Sequence, residues 1–396
     1  MTAWTGGTLR SPVTGRTLAP AGPYALAAGD ERWPVLEGIP FLRADRRALA
    51  DAALEALDAG DFRAALVLLL GDQDNWARTP PPDEAARQKL VSNGYETFRE
   101  AMELLAFGPV ATYFAHRWSD PTFMSGLALA EAHWTGGRIF ELGCGAGHYL
   151  REFARAGANA VGGDIVFSKL WLARRYVAPD AGLVCFDASA PWPLPDGFAD
   201  AVFCHDAFYF LPAKPHVAAE MRRVAGRGTV LVGHAHNALV DNLSSGSPLP
   251  PAEYAALFDA PLLYDDRELT TALVQARAPV PASAGALADA PAIAIASGAG
   301  APRPVVGGVA MPSPGTELRL NPLYRDHYVV PAAERHGFVQ EGRYVVWPSE
   351  RYEREYGSLV TYPVRLGCSP AAVAGESEEV DDMARRRVLL DLPVQW

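Results

Sequence analysis

The residues best suited to chemistry lie between Arg138 and Asn237. Ile139 and Phe140 lead into Glu141, and Gly143, Gly145 and Gly147 follow with small residues between them. Such a run reads as a buried strand ending in a glycine turn, with a helix over 148–156. Glycines let the backbone take left-handed angles and let a ligand come close. The N–H groups that open the helix point at whatever lies over the turn. Asp164 ends a second run, Asn159 to Asp164, about 20 residues on, where a doubly wound sheet sets a carboxylate against a ribose. Asp187 ends a third run, His205 and Asp206 end a fourth, and His234 and His236 close a fifth. His148 stands where a dinucleotide fingerprint has its last glycine, which argues against NAD. Glu141 argues the same way, because a carboxylate before the turn suits a cationic ligand.

These residues need a scaffold that brings strand ends together. The five apolar runs are short, and the stretches 167–176 and 215–225 between them read as helices. Strands alternating with helices predict a parallel α/β sheet with a ligand crevice at the carboxyl ends of its strands.

The segment Glu141-Leu-Gly-Cys-Gly-Ala-Gly147, followed in order by Asp164, Asp187 and the His205 strand end, resembles the class I S-adenosylmethionine (SAM) dependent methyltransferases. It covers about a quarter of the chain. The fold it implies is α/β, a doubly wound, mostly parallel seven-strand sheet. It implies that SAM is the cofactor, with its methionine part carried by Gly143, Cys144, Gly145 and Gly147 and its amino group near Glu141. Asp164 would accept from both ribose hydroxyls, and Asp187 from the adenine amino group, beside the Ala188 N–H. Ile165 would lie on the adenine face and His205 would border the sulfonium and methyl.

Methyl transfer from a sulfonium is an in-line displacement, so the protein mainly orients the nucleophile and removes its proton. In this topology His205, Asp206, His234 and His236 converge over the methyl and form the expected base set. Each histidine reads equally well as a hydrogen-bonded structural residue. The same set suggests a metal, as in catechol-type enzymes, but no matching acidic cluster is evident and none is expected. The Asn/Asp-Pro-Pro-aromatic motif of base-modifying relatives is absent, and His205-Asp-Ala-Phe-Tyr209 stands in its place. Phe208 and Tyr209 fit the wall of an organic substrate pocket. Tyr113, Arg117 and Trp118, upstream, are candidate lid or substrate residues. Packing on the core explains the two aromatics equally well, whereas a charge among aromatics needs an acceptor.

The whole chain has 396 residues, more than one core usually holds, and a formal net charge of −11. An acidic surface repels phosphate backbones, so nucleic acid is not expected as the main partner. Of the four cysteines, Cys144, Cys185 and Cys204 fall in or beside predicted core strands, and Cys368 lies in the tail. No C-x-x-C pair suggests a zinc site or a disulfide framework. No signal-like or membrane-spanning run is seen, so a cytoplasmic protein with no membrane partner is expected. A homodimer or a partner protein stays open.

Residues 1–43 read as a small β-rich module that resembles the zinc ribbon preceding some methyltransferase domains. Ser11-Pro-Val-Thr-Gly15 replaces its first cysteine pair, so it is expected to be metal-free. Residues 44–130 read as a helical lid or connector, with one helix carrying Tyr95, Phe98, Met102 and Leu105. The SAM-binding core is expected over 131–243 and a cap or substrate insertion over 244–330, with 279–315 rich in Ala, Pro and Gly and holding one candidate strand, Ala292 to Ala296. Residues 331–396 are expected to complete the sheet, starting with a helix from Pro331 to His336. The function expected is methylation of a small organic molecule at oxygen or nitrogen, in specialised metabolism. The alternatives are a SAM-binding fold repurposed for displacement, cyclisation or elimination, or one acting with a partner protein. A tRNA or protein methyltransferase is the third reading.

Overall fold

A computed structural model describes residues 6–74, 77, 79–92, 97–242, 246–326, 343–366 and 372–396. The expected helix at Pro331 to His336, Tyr95 and Cys368 lie outside them.

The chain opens with a five-stranded antiparallel sheet: β1 (Leu9–Arg10), β2 (Thr17–Pro20), β3 (Ala25–Ala28), β4 (Glu31–Leu36) and β5 (Ile39–Pro40). Its first turn is tied by a carboxylate. Ser11 Oγ donates to Glu31 at 2.6 Å, Thr14 Oγ1 donates at 3.2 Å and the Trp33 indole N–H at 2.5 Å. The sheet's exit pairs with the core. Phe41 bridges Cys185 in parallel, and the Leu42 N–H donates to the Cys185 carbonyl.

Six helices follow: α1 (Arg47–Asp58), α2 (Phe62–Leu69), α3 (Glu84–Ser92), α4 (Phe98–Leu104), α5 (Pro109–His116) and α6 (Pro121–His133). Thr97 and Glu100 form a reciprocal capping box that starts α4. Asp120 caps α6, with Pro121 at its first position. Every residue of α6 is buried, as expected for a helix apolar on all sides, and it packs between the sheet and a later helix.

The core elements are β6 (Arg138–Leu142), α7 (His148–Arg155), β7 (Asn159–Asp164), α8 (Phe167–Leu172), β8 (Gly182–Cys185), β9 (Ala201–His205), α9 (Lys214–Ala225) and β10 (Thr229–His236). After them come α10 (Pro251–Ala255), β11 (Leu262–Asp265), α11 (Asp266–Val274) and β12 (Ala292–Ser297). The sheet order is β11-β12-β10-β9-β6-β7-β8. All neighbours pair in parallel except β12, which is antiparallel to β10 and β11.

This order corrects the expected division of the chain. The sixth and seventh strands come from 262–265 and 292–297, inside the segment read as a cap, and not from the tail. The tail instead forms two small antiparallel sheets. One is β13 (Glu317–Leu320) with β17 (Ala372–Val373) and β18 (Leu389–Leu390); the other is β14 (Tyr324–Asp326) with β15 (Arg343–Val345) and β16 (Arg365–Leu366). The tail helices are α12 (Glu350–Tyr356) and α13 (Glu378–Arg385). No helix among the described residues is long and apolar enough to cross a membrane.

Candidate active site

The glycine turn joins β6 to α7, with Gly143, Gly145 and Gly147 all at positive φ. A Cβ on Gly143 would lie 2.8 Å from the Ala207 Cβ, and one on Gly147 would lie 2.9 Å from the Ala173 Cβ, so larger residues do not fit. Asp164, at the end of β7, accepts from the Gly145 N–H at 2.9 Å and, through its other oxygen, from the Val166 N–H at 2.9 Å. Each oxygen keeps a lone pair for a further donor. Glu141 is buried before the turn and one of its oxygens has no hydrogen-bond partner. Burial pushes its carboxyl well above the usual range.

The other positions expected to meet a cofactor sit along the same strand ends. The Ile165 carbonyl accepts from buried Arg43, which also pairs with Asp72 at 2.8 Å. The N-terminal sheet and the first helices thus brace the loop after β7. Asp187 accepts from the Ser189 N–H, and the Ala188 carbonyl accepts from the Trp192 indole. Cys144 is buried, its thiol pushed up by burial. Over the turn lies α5. The His148 Nε2–H donates to the Phe114 carbonyl at 2.9 Å, and Phe114's ring edge lies 3.0 Å from the Cβ position of Gly145.

The second cluster forms where β9 and β10 end. Asp206 and His234 both hold positive φ, 55° and 47°, which costs a non-glycine residue energy. At His234 the pairing of β10 with β12 shifts register. This irregularity re-aims side chains at the strand end. Asp206 accepts from the Tyr113 hydroxyl at 2.6 Å and the Tyr209 hydroxyl at 2.8 Å, with Arg117 3.7 Å away. Burial raises its carboxyl, but His234, Arg117 and His205 outweigh this and hold it below the usual range. His234 Nδ1 lies 2.6 Å from Asp266, and its Nε2 lies 4.0 Å from Asp206. Burial opposes the imidazolium, but Asp206 and Asp266 raise His234 to about 9. His205 falls to about 3 and His236 to about 4, chiefly through burial. Neither ring nitrogen of His205 has a partner, nor has His236 Nδ1.

A cavity of about 360 Å³ opens beside this cluster. His234, His236, Asp265 and Asp266 line it from the sheet, and Glu355 and Tyr356 line it from α12. The tail that was expected to finish the sheet therefore roofs this cavity. His205, Arg117, Trp118 and Phe208 do not line it. Arg117 is buried in an ion pair with Asp120 at 2.8 Å, Trp118 packs on His148, and Phe208 packs on Tyr254 and Phe258. The ring of Tyr209 meets His236 edge-on at 4.5 Å. Asp266 went unpredicted. The signal was present, since Leu262-Leu-Tyr-Asp-Asp266 is an apolar run ending in acid, like those ending at Asp164 and Asp187.

A sheet in this order, with the glycine turn after β6 and an acid ending the neighbouring β7, is the class I methyltransferase fold. Residues 140–233 match the family model of the methyltransferase domain. A malonyl-[acyl-carrier protein] O-methyltransferase of Pectobacterium atrosepticum is 29% identical over 139 residues, 34% of this chain and 53% of that protein. The chain thus spans about half the length of that curated relative. Among solved structures, a SAM-dependent methyltransferase of Mesorhizobium loti is 23% identical, covering 30% of this chain and 54% of that one, at a TM-score of 0.26. Phosphoethanolamine N-methyltransferase 2 of Haemonchus contortus, in complex with SAM, is 20% identical, covering 41% and 40%, at a TM-score of 0.29. The domain match supports an enzyme that transfers methyl groups.

Proposed function

We propose that the chain is a SAM-dependent methyltransferase acting on a small organic acceptor at oxygen or nitrogen. The carrying observation is the crevice itself. Glu141 keeps a buried, unpartnered oxygen before the glycine turn, Asp164 keeps acceptor capacity beside it, and a histidine-lined cavity opens further along the sheet, at the carboxyl end of β10. When bound, SAM supplies an activated methyl group. Glu141 then meets its amino group, Asp164 its ribose hydroxyls and Asp187 its adenine. His236, neutral and lining the cavity, accepts the acceptor's proton. Asp206 and Asp266 hold His234 as an imidazolium, which orients an electron-rich acceptor atom.

One observation favours a second reading, in which the pocket serves other chemistry or needs a partner protein. Phe114 lies against Gly145, over the turn that the methionine part would occupy. The N-terminal sheet, read as a zinc-ribbon-like module without metal, is the docking surface such a partner would use.

Calorimetric titration with SAM and S-adenosylhomocysteine tests the first reading. Micromolar binding by the wild type, lost in Asp164→Ala, supports it, and no binding to the wild type overturns it. Methylated acceptor formed in step with S-adenosylhomocysteine excludes the second.

A further inference from the structure

We propose that Asp206, His234 and His236 form a site for one divalent first-row transition cation at the edge of the acceptor cavity. Each of the three offers one ligand atom, and these atoms lie within 4.8 Å of one another. They come from the ends of two adjacent parallel strands, β9 and β10, so the sheet itself holds them together. Donors around one cation, each about 2.0–2.2 Å from it, sit about 3–4 Å apart. The group therefore needs to close by about an ångström, within the reach of small side-chain rotations.

Two further observations point to a ligand. His236 is 7% exposed, and its Nδ1 is buried without a partner. A buried polar atom of this kind costs free energy unless something fills its valence. The supporting residues also form the shell that ligating groups need. Asp266 engages His234 Nδ1 at 2.6 Å, fixing the ring so that Nε2, 4.0 Å from Asp206, is the ligand atom once the cation displaces its proton to water. Asp266 is itself steadied by Ser125 at 3.1 Å. The hydroxyls of Tyr113 and Tyr209 each hold one oxygen of Asp206 and leave each a lone pair. A carboxylate behind a ligating imidazole and hydrogen bonds behind a ligating carboxylate are the usual outer shell of a protein metal site.

Two imidazoles and one carboxylate select borderline cations such as Zn²⁺, Fe²⁺, Mn²⁺ or Co²⁺ over Mg²⁺ and Ca²⁺, which prefer oxygen ligands. Three protein ligands leave coordination positions for a guest, and His234 and His236 both line the cavity. The use of the site rests on the methyltransferase reading. An acceptor hydroxyl bound to the cation gives up its proton to water more readily, so the cation takes over the task otherwise left to His236. The sequence set the metal aside for want of an acidic cluster. The two histidines replace the missing acids.

The test is calorimetric titration of the full chain, freed of metal by chelator, with ZnCl₂ and MnCl₂. One cation per chain at micromolar affinity or tighter is expected. His236→Ala and His234→Ala should each weaken binding at least about a hundredfold, and Asp266→Asn about ten- to a hundredfold. His205→Ala, next to the cluster but outside it, should stay within about threefold. Absence of binding, or equal binding by His236→Ala, overturns the proposal. Should a variant fail to fold, Cu²⁺ bound to the wild type decides the matter. Couplings to two imidazole nitrogens in its electron paramagnetic resonance spectrum support the site, and fewer than two overturn it. A parallel titration of the metal-free chain with S-adenosylhomocysteine separates the ideas. Cation binding without cofactor binding keeps the site and removes the methyltransferase reading, and the reverse removes the site alone.

Discussion

At the scale of single residues, Glu141 makes the sharpest case for a ligand. Burial raises its carboxyl well above the usual range, so the fold holds a group that is ionised in the unfolded chain above about pH 4.3. A raised carboxyl destabilises the fold above its unfolded pKa, and that penalty fades as pH falls through the folded value. Glu141→Gln keeps the shape and removes the penalty. At neutral pH its melting temperature should therefore rise or hold. If Glu141 meets the cationic amino group of the cofactor, the same change should weaken S-adenosylhomocysteine binding by about tenfold or more, the worth of a hydrogen bond to a charge. A stable variant with unchanged affinity would remove Glu141 from the cofactor's partners. Glu141, the glycine turn and Asp164 were legible because their order and spacing are local in sequence. Asp266 also ends an apolar run, but its role was not legible, because its tie to His234 spans 32 residues and exists only once β11 joins the sheet edge.

At the scale of elements, the sheet's first five strands were readable from short apolar runs ending in polar residues; Ala292 to Ala296 was readable as a strand but not as part of this sheet, and 262–265 was not read as a strand. The run Ala292-Ile-Ala-Ile-Ala-Ser297 is alanine-rich, with weak strand preference, and sits among turn formers. Arg343-Tyr-Val-Val-Trp347 looks a better strand, yet it pairs only in a small outer sheet. Burial of both faces of β12 outweighs local preference. The same packing makes α6 sensitive to acid. His133, in its last turn, lies 2.9 Å from the Tyr264 hydroxyl and is lowered to about 4, first by burial and then by Arg303. A histidine lowered on folding is neutral in the fold and protonated in the unfolded chain below about pH 6.5. Its contribution is lost as pH falls from about 6.5 towards 4. Other groups move with pH too, so the informative quantity is a difference. His133→Gln should show a shallower fall in melting temperature between pH 7 and 5 than the wild type. Parallel curves for the two would count against a neutral, buried His133.

At the scale of the whole molecule, segments far apart in sequence close on one crevice. The N-terminal sheet adds Phe41 and Leu42 to the edge of the core sheet at β8, and Arg43 grips the Ile165 carbonyl beside Asp164. On the other side, residues 395 and 396 staple the cover. The Gln395 carbonyl accepts from the Phe98 N–H at the start of α4. The Trp396 indole N–H donates to the Ala115 carbonyl of α5 at 2.7 Å, and the guanidinium of Arg99 lies 3.8 Å from the centre of its ring. One hydrogen bond and one cation–π contact are together worth about 1–3 kcal/mol. Trp396→Ala removes both without touching the crevice. Backbone amide exchange across 98–116 should then speed up by about tenfold or more, while exchange in the central strands β6 and β9 stays unchanged. Because α5 carries Phe114 onto Gly145 and Tyr113 onto Asp206, loosening it frees the turn and removes an orienting hydroxyl at once. Cofactor binding should therefore tighten or hold, since the ring over Gly145 yields more easily, while turnover falls because Asp206 loses the Tyr113 hydroxyl. Weaker cofactor binding together with faster exchange would mean instead that α5 belongs to the cofactor's own wall and has no need to move aside.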